Sequence, residues 1–227
     1  MARAGGKLEK LERRGEILAK ADELFRERCF EEIRMGDLAA SLGLAKGTLY
    51  LYFPSKESLF LALLGERLEA ALARLYGLLE TGRDGGAASA ELVAAGTASI
   101  LAADPALPRL LAESLSVLER RVGFEEAVAF KRSMAAALEE AGGRLSLILP
   151  GLSPEGGRRY FLYVFSLVVG LAALTDLSPF MRRVAAAPGL EVFRLGFEEA
   201  LRSSAASLLA GLAGGCARGP EGKEQPI

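Results

Sequence analysis

Apolar residues recur every three or four positions along most of the chain, which is the spacing of helices with one buried face. In the first such stretch, residues 15–28, this stripe consists of Ile17, Leu18, Ala21, Leu24 and Phe25. Sustained alternation of apolar and polar residues, the strand pattern, does not occur in the sequence. The pattern therefore predicts an all-α protein.

Short helices are predicted to follow the first one. A second helix is predicted over residues 37–42, and Gly43 stands where a helix C-terminus often takes a left-handed residue. A third helix is predicted over residues 44–52. Ser55, a good N-cap residue, then begins a long fourth helix that reaches residue 79.

Longer apolar helices are predicted in the rest of the chain, with Gly- and Pro-rich segments between them. Their predicted ranges are 88–102, 107–121, 124–141, 157–177 and 190–212. The segment GGRLSLILPGLSPEGG, residues 142–157, is interpreted as one of the breaks. The tail, residues 214–227, is rich in glycine, proline and charge, which predicts disorder.

Composition narrows the function classes. The 227 residues carry a net charge of -1 and 51% hydrophobic residues, so a sizeable core is expected and any charged partner must be met by a local patch. Histidine is absent, which excludes Ser/His/Asp and Cys/His nucleophiles. With two distant cysteines, no zinc site is predicted, and the sequence carries no cofactor motif. Neither a metal nor a cofactor is therefore expected.

The sequence gives no membrane signal. The longest uncharged run, Tyr160 to Thr175, is shorter than the roughly 18 to 20 residues that span a bilayer, so a buried helix is predicted there. The first ten residues lack the apolar segment of a signal peptide. A cytoplasmic location is therefore expected.

One short stretch, GLAKGTLYLYFPSKESLF at residues 43–60, contains residues that packing alone does not explain. Two short helices with a glycine turn are typical of a helix-turn-helix, whose second helix enters a major groove. Gly47 in the middle of that helix costs about 1 kcal/mol, and it allows close approach to a duplex. Candidate phosphate and base contacts are Lys46, Thr48, Tyr50, Tyr52 and Lys56. Taken singly, each of these residues also fits ordinary packing or solvation.

The wider segment MGDLAASLGLAKGTLYLYFPSKESLF, residues 35–60, closely resembles the DNA-binding segment of the TetR family of bacterial transcriptional regulators, and the resemblance extends over roughly residues 15–64. It implies a three-helix DNA-binding domain at residues 1–54. It also implies a helical effector-binding and dimerisation domain at residues 55–213, entered through a connecting helix at 55–79. The implied function is repression at double-stranded operator DNA, relieved by a small-molecule effector.

Carried onto this chain, the family's DNA contacts fall on Ala45, Lys46, Gly47, Thr48, Tyr50, Tyr52 and Lys56. The chain departs from the family near Ile33 and Arg34, where a Thr or Ser commonly caps the second helix. Arg34 is the candidate substitute for the phosphate contact made there. A basic N-terminal arm that includes Arg13 and Arg14 either touches DNA or stays solvated.

Tight operator binding needs two such domains, so a homodimer is expected. The predicted interface lies on the last two long helices, because YFLYVFSLVVGLAAL is apolar almost all round and Gly170 allows close approach. A stripe on the last helix is predicted to join the same interface: Phe193, Phe197, Ala200, Leu201, Ala205, Leu208 and Leu209.

The apolar middle helices suit a hydrophobic or amphipathic effector. Candidate polar contacts for it are Arg109, Glu113, Tyr163 and Ser166, with Ser114 and Thr175 in similar positions of the pattern. The residues alone leave other functions open. They are a helical enzyme that works with Asp/Glu pairs, a helical interaction protein, and a regulator without a small-molecule effector.

Overall fold

The computed structural model describes residues 2–84, 89–115 and 121–215, and those residues form helices and turns without a strand. The all-α prediction is thus confirmed. The helices are α1 (Ala2–Glu27), α2 (Met35–Ser41), α3 (Lys46–Tyr50), α4 (Lys56–Asp84), α5 (Ala90–Ala102), α6 (Ala106–Glu113), α7 (Phe124–Ile148), α8 (Pro154–Thr175), α9 (Pro179–Ala185) and α10 (Phe197–Gly215). Short 3-10 turns occur at Phe30–Glu32 and Glu191–Phe193.

The chain forms two compact units. The first comprises Met1–Ala70 and Ala106–Lys131, and the second comprises Ala71–Pro105 and Arg132–Ile227. Helices α4 and α7 therefore each contribute residues to both units. The predicted domain boundary at residue 54 stays a prediction, since the units divide the chain inside α4 instead.

The core of the first unit is built on the predicted α1 stripe. Ile17 and Phe25 are at most 1% exposed, and Phe60 of α4 is fully buried. The Phe60 ring makes edge-to-face contacts with the rings of Phe25 at 5.4 Å and Phe30 at 5.0 Å. Such aromatic pairs stabilise a core beyond the area they bury. They fix the end of α1 and the following 3-10 turn against α4.

Helices α2 and α3 form the predicted helix-turn-helix. They are joined by a turn in which Gly43 has a φ of +65°, the left-handed conformation expected from its place after α2. Leu38 of α2 and Leu49 of α3 are fully buried. Helix α3 is shorter than predicted, five residues rather than nine.

In the second unit, α10 packs against α5 and α8. The α10 residues Leu201, Ala205 and Leu209 are fully buried in that packing. The prediction that they form a dimer interface is therefore wrong: this part of the stripe belongs to the core of the protomer. Phe193 lies in a 3-10 turn outside α10.

Helices α7 and α8 meet through their glycines. A Cβ at Gly157 would lie 2.3 Å from the carbonyl oxygen of Gly142, and a Cβ at Gly142 would lie 2.4 Å from the backbone nitrogen of Arg158. The two backbones are thus in direct contact, which only glycine permits. The interpretation of Gly142 as part of a break is wrong, because α7 runs through it to Ile148.

Other predictions along the chain differ from the structure or lie outside the described residues. The last helix begins at Phe197 rather than residue 190, and the sequence pattern does not predict the short helix α9 before it. Helix α6 ends at Glu113, and residues 116–120 of the predicted 107–121 helix lie outside the described residues. Most of the predicted disordered tail, residues 216–227, also lies outside them.

Helix α8 carries more apolar surface than the second unit buries. Among the described residues it is the one helix whose length and composition would allow a membrane crossing, with an 18-residue window of mean hydropathy 1.3. Of that window, 39% is buried within the protein. Core helices of soluble proteins share these properties.

Tyr160 of α8 predicts a pH effect on stability. It is fully buried, and burial raises its pKa to about 12, while the Thr97 hydroxyl lowers it somewhat. An unfolded tyrosine ionises near its ordinary value of 10, so the unfolded chain loses this proton first as the pH rises. We expect the free energy of unfolding to fall by about 2 to 3 kcal/mol between pH 10 and 12 from this group alone. Urea titrations of the wild type and Tyr160→Phe across that range isolate its contribution, which disappears in the variant.

Candidate nucleic-acid interface

Helix α3 presents one face to the core and the other to solvent. Leu49 is fully buried, whereas Ala45, Lys46, Gly47 and Tyr50 are exposed. The Lys46 ammonium lies 5.9 Å from the centre of the Tyr50 ring, so the two side chains form a cation–π pair on the exposed face. Of the other predicted contacts, Thr48 and Tyr52 are half-buried.

Gly47 occupies open space. A Cβ placed on it would meet no atom within 4 Å outside the helix's own backbone. Packing within the protein therefore does not require a glycine here, although glycine weakens a helix by about 1 kcal/mol relative to alanine. The absence of a side chain leaves the backbone of α3 accessible to a close-approaching partner.

The start of α2 carries Arg34. This residue is the N-cap of α2, is exposed, and makes no side-chain capping hydrogen bond. Between Tyr50 and Tyr52, Leu51 is 78% exposed. Its side chain offers only apolar contacts to a partner.

Two residues of the predicted basic arm, Arg13 and Arg14, lie within α1 and pair with acidic residues of the protein. Arg13 pairs with Glu16 at 2.6 Å, and Arg14 pairs with Glu66 of α4 at 3.2 Å. Such exposed pairs are individually weak, so they do not by themselves prevent either arginine from turning to another partner.

Lys56 has an arrangement that the sequence pattern does not predict. Its ammonium donates hydrogen bonds to the carbonyl oxygens of Phe30 at 2.5 Å and Ile33 at 3.0 Å, and it lies 3.9 Å from the centre of the Phe30 ring. Burial lowers the pKa of Lys56, against the opposing field of Glu57. Two of the three ammonium donors are thus occupied, and a phosphate contact would have to use the third.

Arg109 of α6 holds the other side of the same turn. Its guanidinium donates to the carbonyl oxygens of Phe25 at 3.2 Å and Arg28 at 3.4 Å, and it stacks over the Phe25 ring at 4.7 Å. Glu113, one turn further along α6, has its pKa raised by burial and by the nearby Glu31. The two residues predicted as effector contacts therefore lie in the first unit, where Arg109 braces the end of α1.

The other predicted effector contacts, Tyr163 and Ser166, belong to the second unit and are exposed on α8. The Arg159 guanidinium donates to the Tyr163 hydroxyl at 3.2 Å, and the Ser166 hydroxyl donates to the Leu162 carbonyl oxygen at 3.2 Å. Neither residue lines the open cavity of about 410 Å³ that the second unit contains beside Thr175, Arg182 and Phe193.

Comparison with known protein families identifies the family of this chain. Residues 17–63 match the family described as "Bacterial regulatory proteins, tetR family", and residues 64–215 match the "Tetracyclin repressor-like, C-terminal domain". The chain belongs to the TetR family of bacterial regulators. The helix-turn-helix and its following helical domain are the two parts of the TetR fold.

The names of two relatives describe them as regulators of transcription. The HTH-type transcriptional regulator EthR of Mycobacterium tuberculosis is 40% identical over 68 residues, which are 30% of this chain and 32% of EthR. The HTH-type transcriptional activator FasR of Mycolicibacterium smegmatis is 34% identical over 82 residues, 36% of this chain and 37% of FasR. The chain thus matches only about a third of the length of either relative.

The fold likeness extends further than the sequence likeness. The structure of the fatty acid degradation regulator FadR from Bacillus halodurans has a TM-score of 0.54 at 18% identity, and the match covers 87% of this chain and 97% of FadR. At this identity the likeness concerns the TetR fold alone.

The position of Lys56 predicts that its substitution lowers the stability of the protein even when no DNA is bound. Lys56→Met keeps much of the apolar stem but leaves the Phe30 and Ile33 carbonyls without this donor. We expect unfolding to become easier by about 1 to 3 kcal/mol, the cost of a partly buried group that loses its hydrogen bond. Urea unfolding without DNA measures this change in stability. Lys20→Met on α1 is the control, because among the described residues the Lys20 ammonium pairs only with the Glu23 side chain in the same helix and not with backbone carbonyls. Unchanged stability together with weakened DNA binding would instead make Lys56 a phosphate contact only.

Proposed function

We propose that the protein is a cytoplasmic transcriptional repressor that binds operator DNA as a homodimer and is released by a hydrophobic or amphipathic small molecule. Family membership supports the DNA-binding regulator. Repression, the effector and the assembly are the finer parts of the proposal, and each has its own support and test.

One observation carries the DNA-binding role: α3 keeps a solvent-facing surface of Ala45, Lys46, Gly47 and Tyr50 while Leu49 anchors it in the core. No acidic residue occurs between Gly43 and Lys56, so this surface does not repel phosphate. In a major groove, Lys46 and Tyr50 reach phosphates or base edges, and Gly47 lets the backbone approach the duplex. Arg34, Thr48 and Tyr52 complete the proposed contact set from neighbouring positions.

The proposed switch works through the turn between α1 and α2. Lys56 of α4 and Arg109 of α6 hold the carbonyls of that turn from two different helices. The turn leads directly into α2, which packs on α3. A ligand that displaces α4 or α6 would therefore change the position of the recognition helix. Because a ligand shifts only an equilibrium between states it binds unequally, its affinity must differ between the two positions.

The proposed dimer uses the apolar surface that α8 leaves exposed. Leu162 is 40% exposed and Leu174 is 50% exposed, and Gly170 lies between them with open space where a Cβ would be. These residues recur along one side of α8, and α10 lies next to it in the packing. Two helices from each protomer would make a four-helix bundle about a two-fold axis.

Gly170→Leu tests this interface. The leucine has room within the protomer, so we expect the fold to persist while the enlarged side chain overpacks the interface and shifts the equilibrium toward monomer. Sedimentation velocity over a concentration series measures the shift. Gly77→Leu on α4, another exposed glycine with open space, is the matched control and should leave the dimer intact. An undisturbed dimer in Gly170→Leu would place the interface on another surface.

The decisive experiment for the function is a gel shift with the DNA upstream of the protein's own gene. We expect a retarded complex that unlabelled upstream DNA displaces and unrelated DNA of the same length does not. Failure to bind any such fragment, by a folded dimer, would overturn the regulator. A reporter strain then separates repression from activation, a distinction that matters because FasR is by its name an activator.

A further inference from the structure

Two hydroxyl groups lie inside the second unit, which does not contain the helix-turn-helix of α2 and α3. Tyr160 of α8 is fully buried and Thr97 of α5 is 4% exposed. The two hydroxyls interact with each other, which lowers the pKa of Tyr160 somewhat, but neither forms a hydrogen bond of ordinary geometry with any described group. Both oxygens are completely enclosed.

Such a pair is unusual in a folded core. The large majority of buried side-chain polar atoms have a hydrogen-bond partner, and an unsatisfied one destabilises the protein because it has given up its bonds to water. An interaction between the two hydroxyls uses only one of their two donors, so at least one donor still lacks an acceptor within the described residues.

The surroundings define the chemistry of that partner. The neighbouring buried residues of α5 are Val93, Ala94 and Ala98, and those of α8 are Phe161, Val164 and Val168. The burial that raises the pKa of Tyr160 keeps the phenol neutral, and no charged group contributes to the shift. The site therefore offers hydrogen-bond donors in an apolar, uncharged environment, where an ionised ligand group would lack compensation.

We propose that Tyr160 and Thr97 are the polar anchor of the effector site, and that the effector is an apolar molecule bearing one uncharged acceptor such as a ketone, ester or amide carbonyl. This inference rests on the proposed function, since it names the ligand class for the same regulation. The carbonyl oxygen accepts from the two hydroxyls, and the remainder of the ligand packs on the apolar residues of α5 and α8.

The position of the pair explains how binding would be transmitted. Because both side chains are so deeply buried, a ligand can reach them only if the helices that enclose them, α5 and α8 with α10 packed on both, move apart. Helix α5 ends at Ala102, and α6 begins at Ala106 after a connector of only three residues. Movement of α5 therefore pulls on α6, whose Arg109 holds the carbonyls at the end of α1.

The first test uses the free protein. Tyr160→Phe and Thr97→Val each remove one hydroxyl at nearly constant volume, and we expect the urea midpoint at pH 7 to stay the same or rise. Tyr76→Phe on α4, which lies outside both the proposed effector site and the proposed dimer interface, is the control. A clear fall of the midpoint in Tyr160→Phe, beyond the control, would mean that the hydroxyl is already satisfied in the free protein and would overturn the proposal.

The second test uses two probes of similar shape, 4-phenyl-2-butanone, which carries a ketone, and butylbenzene, which does not. By isothermal titration we expect the ketone to bind wild type more tightly than butylbenzene does. Tyr160→Phe should cost the ketone roughly threefold to tenfold in affinity, the value of one neutral hydrogen bond, and leave butylbenzene unchanged. The anionic probe 4-phenylbutanoate should bind more weakly than the ketone. Equal affinities of the ketone for wild type and Tyr160→Phe, or no binding of either neutral probe, would overturn the anchor.

Operator DNA separates failure of this inference from failure of the function. Wild type, Tyr160→Phe and Thr97→Val should bind upstream DNA equally without probe, and the ketone should weaken that binding in wild type more than in either variant. A protein that binds DNA but shows no ketone preference at Tyr160 remains a regulator with a different ligand site. A protein that binds the ketone at Tyr160 but no DNA would refute the proposed function while keeping the site.

Discussion

Lys46→Ala and Tyr50→Ala are each expected to weaken operator binding by roughly 30-fold or more, because removing a groove interaction costs about 1 to 3 kcal/mol and the proposed symmetric dimer loses it twice. The two side chains form a pair on the exposed face of α3, at 5.9 Å, and neither is needed for the buried packing of Leu49. Helicity and dimerisation should therefore be unchanged. Fluorescence anisotropy with a labelled operator measures the affinity.

The salt dependence of DNA affinity distinguishes the role of Lys46 from that of Tyr50. If Lys46 binds a phosphate, Lys46→Ala should also lower the slope of log affinity against log salt by about 1 for each phosphate that is no longer neutralised. Lys20→Ala on α1 is the matched control, since Lys20 pairs with Glu23 of the same helix and is not among the predicted DNA contacts, so affinity and slope should be unchanged. Wild-type affinity in both α3 variants would remove this helix from the groove.

Gly142→Ala should destabilise the second unit strongly, although alanine is ordinarily the better helix former. The added Cβ would stand 2.4 Å from the backbone nitrogen of Arg158, and backbone cannot move aside as a side chain can. We expect α7 and α8 to be forced apart at a cost of about 2 to 4 kcal/mol, in the range of severe core overpacking. Urea unfolding measures the change.

The adjacent residue provides the control. Gly143 lies in the same helix, and a Cβ on it would meet no atom within 4 Å outside the helix's own backbone. Gly143→Ala should therefore stabilise the protein by up to about 1 kcal/mol, the intrinsic preference of a helix for alanine. The two substitutions are therefore expected to change the free energy of unfolding in opposite directions. A similar small gain in both variants would refute the tight approach of α7 and α8.

Local signals are enough to predict the recognition region. The stripe of α1, the left-handed glycine after α2 and the Ser55 cap of α4 all depend on residues close in sequence, and the structure has them. The Ser55 hydroxyl accepts from the Ser58 backbone amide at 2.9 Å. Fold class and the exposed face of α3 follow from the same short-range patterns.

Predictions fail where a residue's partner is distant in sequence. Gly142 resembles a helix break because the reason for a glycine there, the backbone of α8, lies 15 residues further on. Arg109 and Lys56 look available for ligands because their partners are carbonyl oxygens, which leave no mark in a residue pattern. Three residues of the α10 stripe are core for the same reason: an apolar stripe does not say which neighbour covers it.

Tyr160 and Thr97 carry the same signal in the sequence as the predicted effector contacts on α8. Each is a polar side chain among apolar neighbours on a helix, as Tyr163 and Ser166 are. Sequence alone does not tell the buried members of that group from the exposed ones, because α8 is apolar on nearly every side. Burial and missing hydrogen bonds become visible only in the folded chain.

Hydroxyl-radical footprinting of the wild-type protein on the DNA upstream of its own gene tests the central claim, DNA reading by a proposed dimer, most directly. Two recognition helices in successive major grooves predict two protected patches on one face of the duplex, about one helical turn or ~34 Å apart, and both should vanish at the same protein concentration in Lys46→Ala. Protection spread evenly along the fragment, or the same two patches at full strength in Lys46→Ala, would contradict DNA reading by α3.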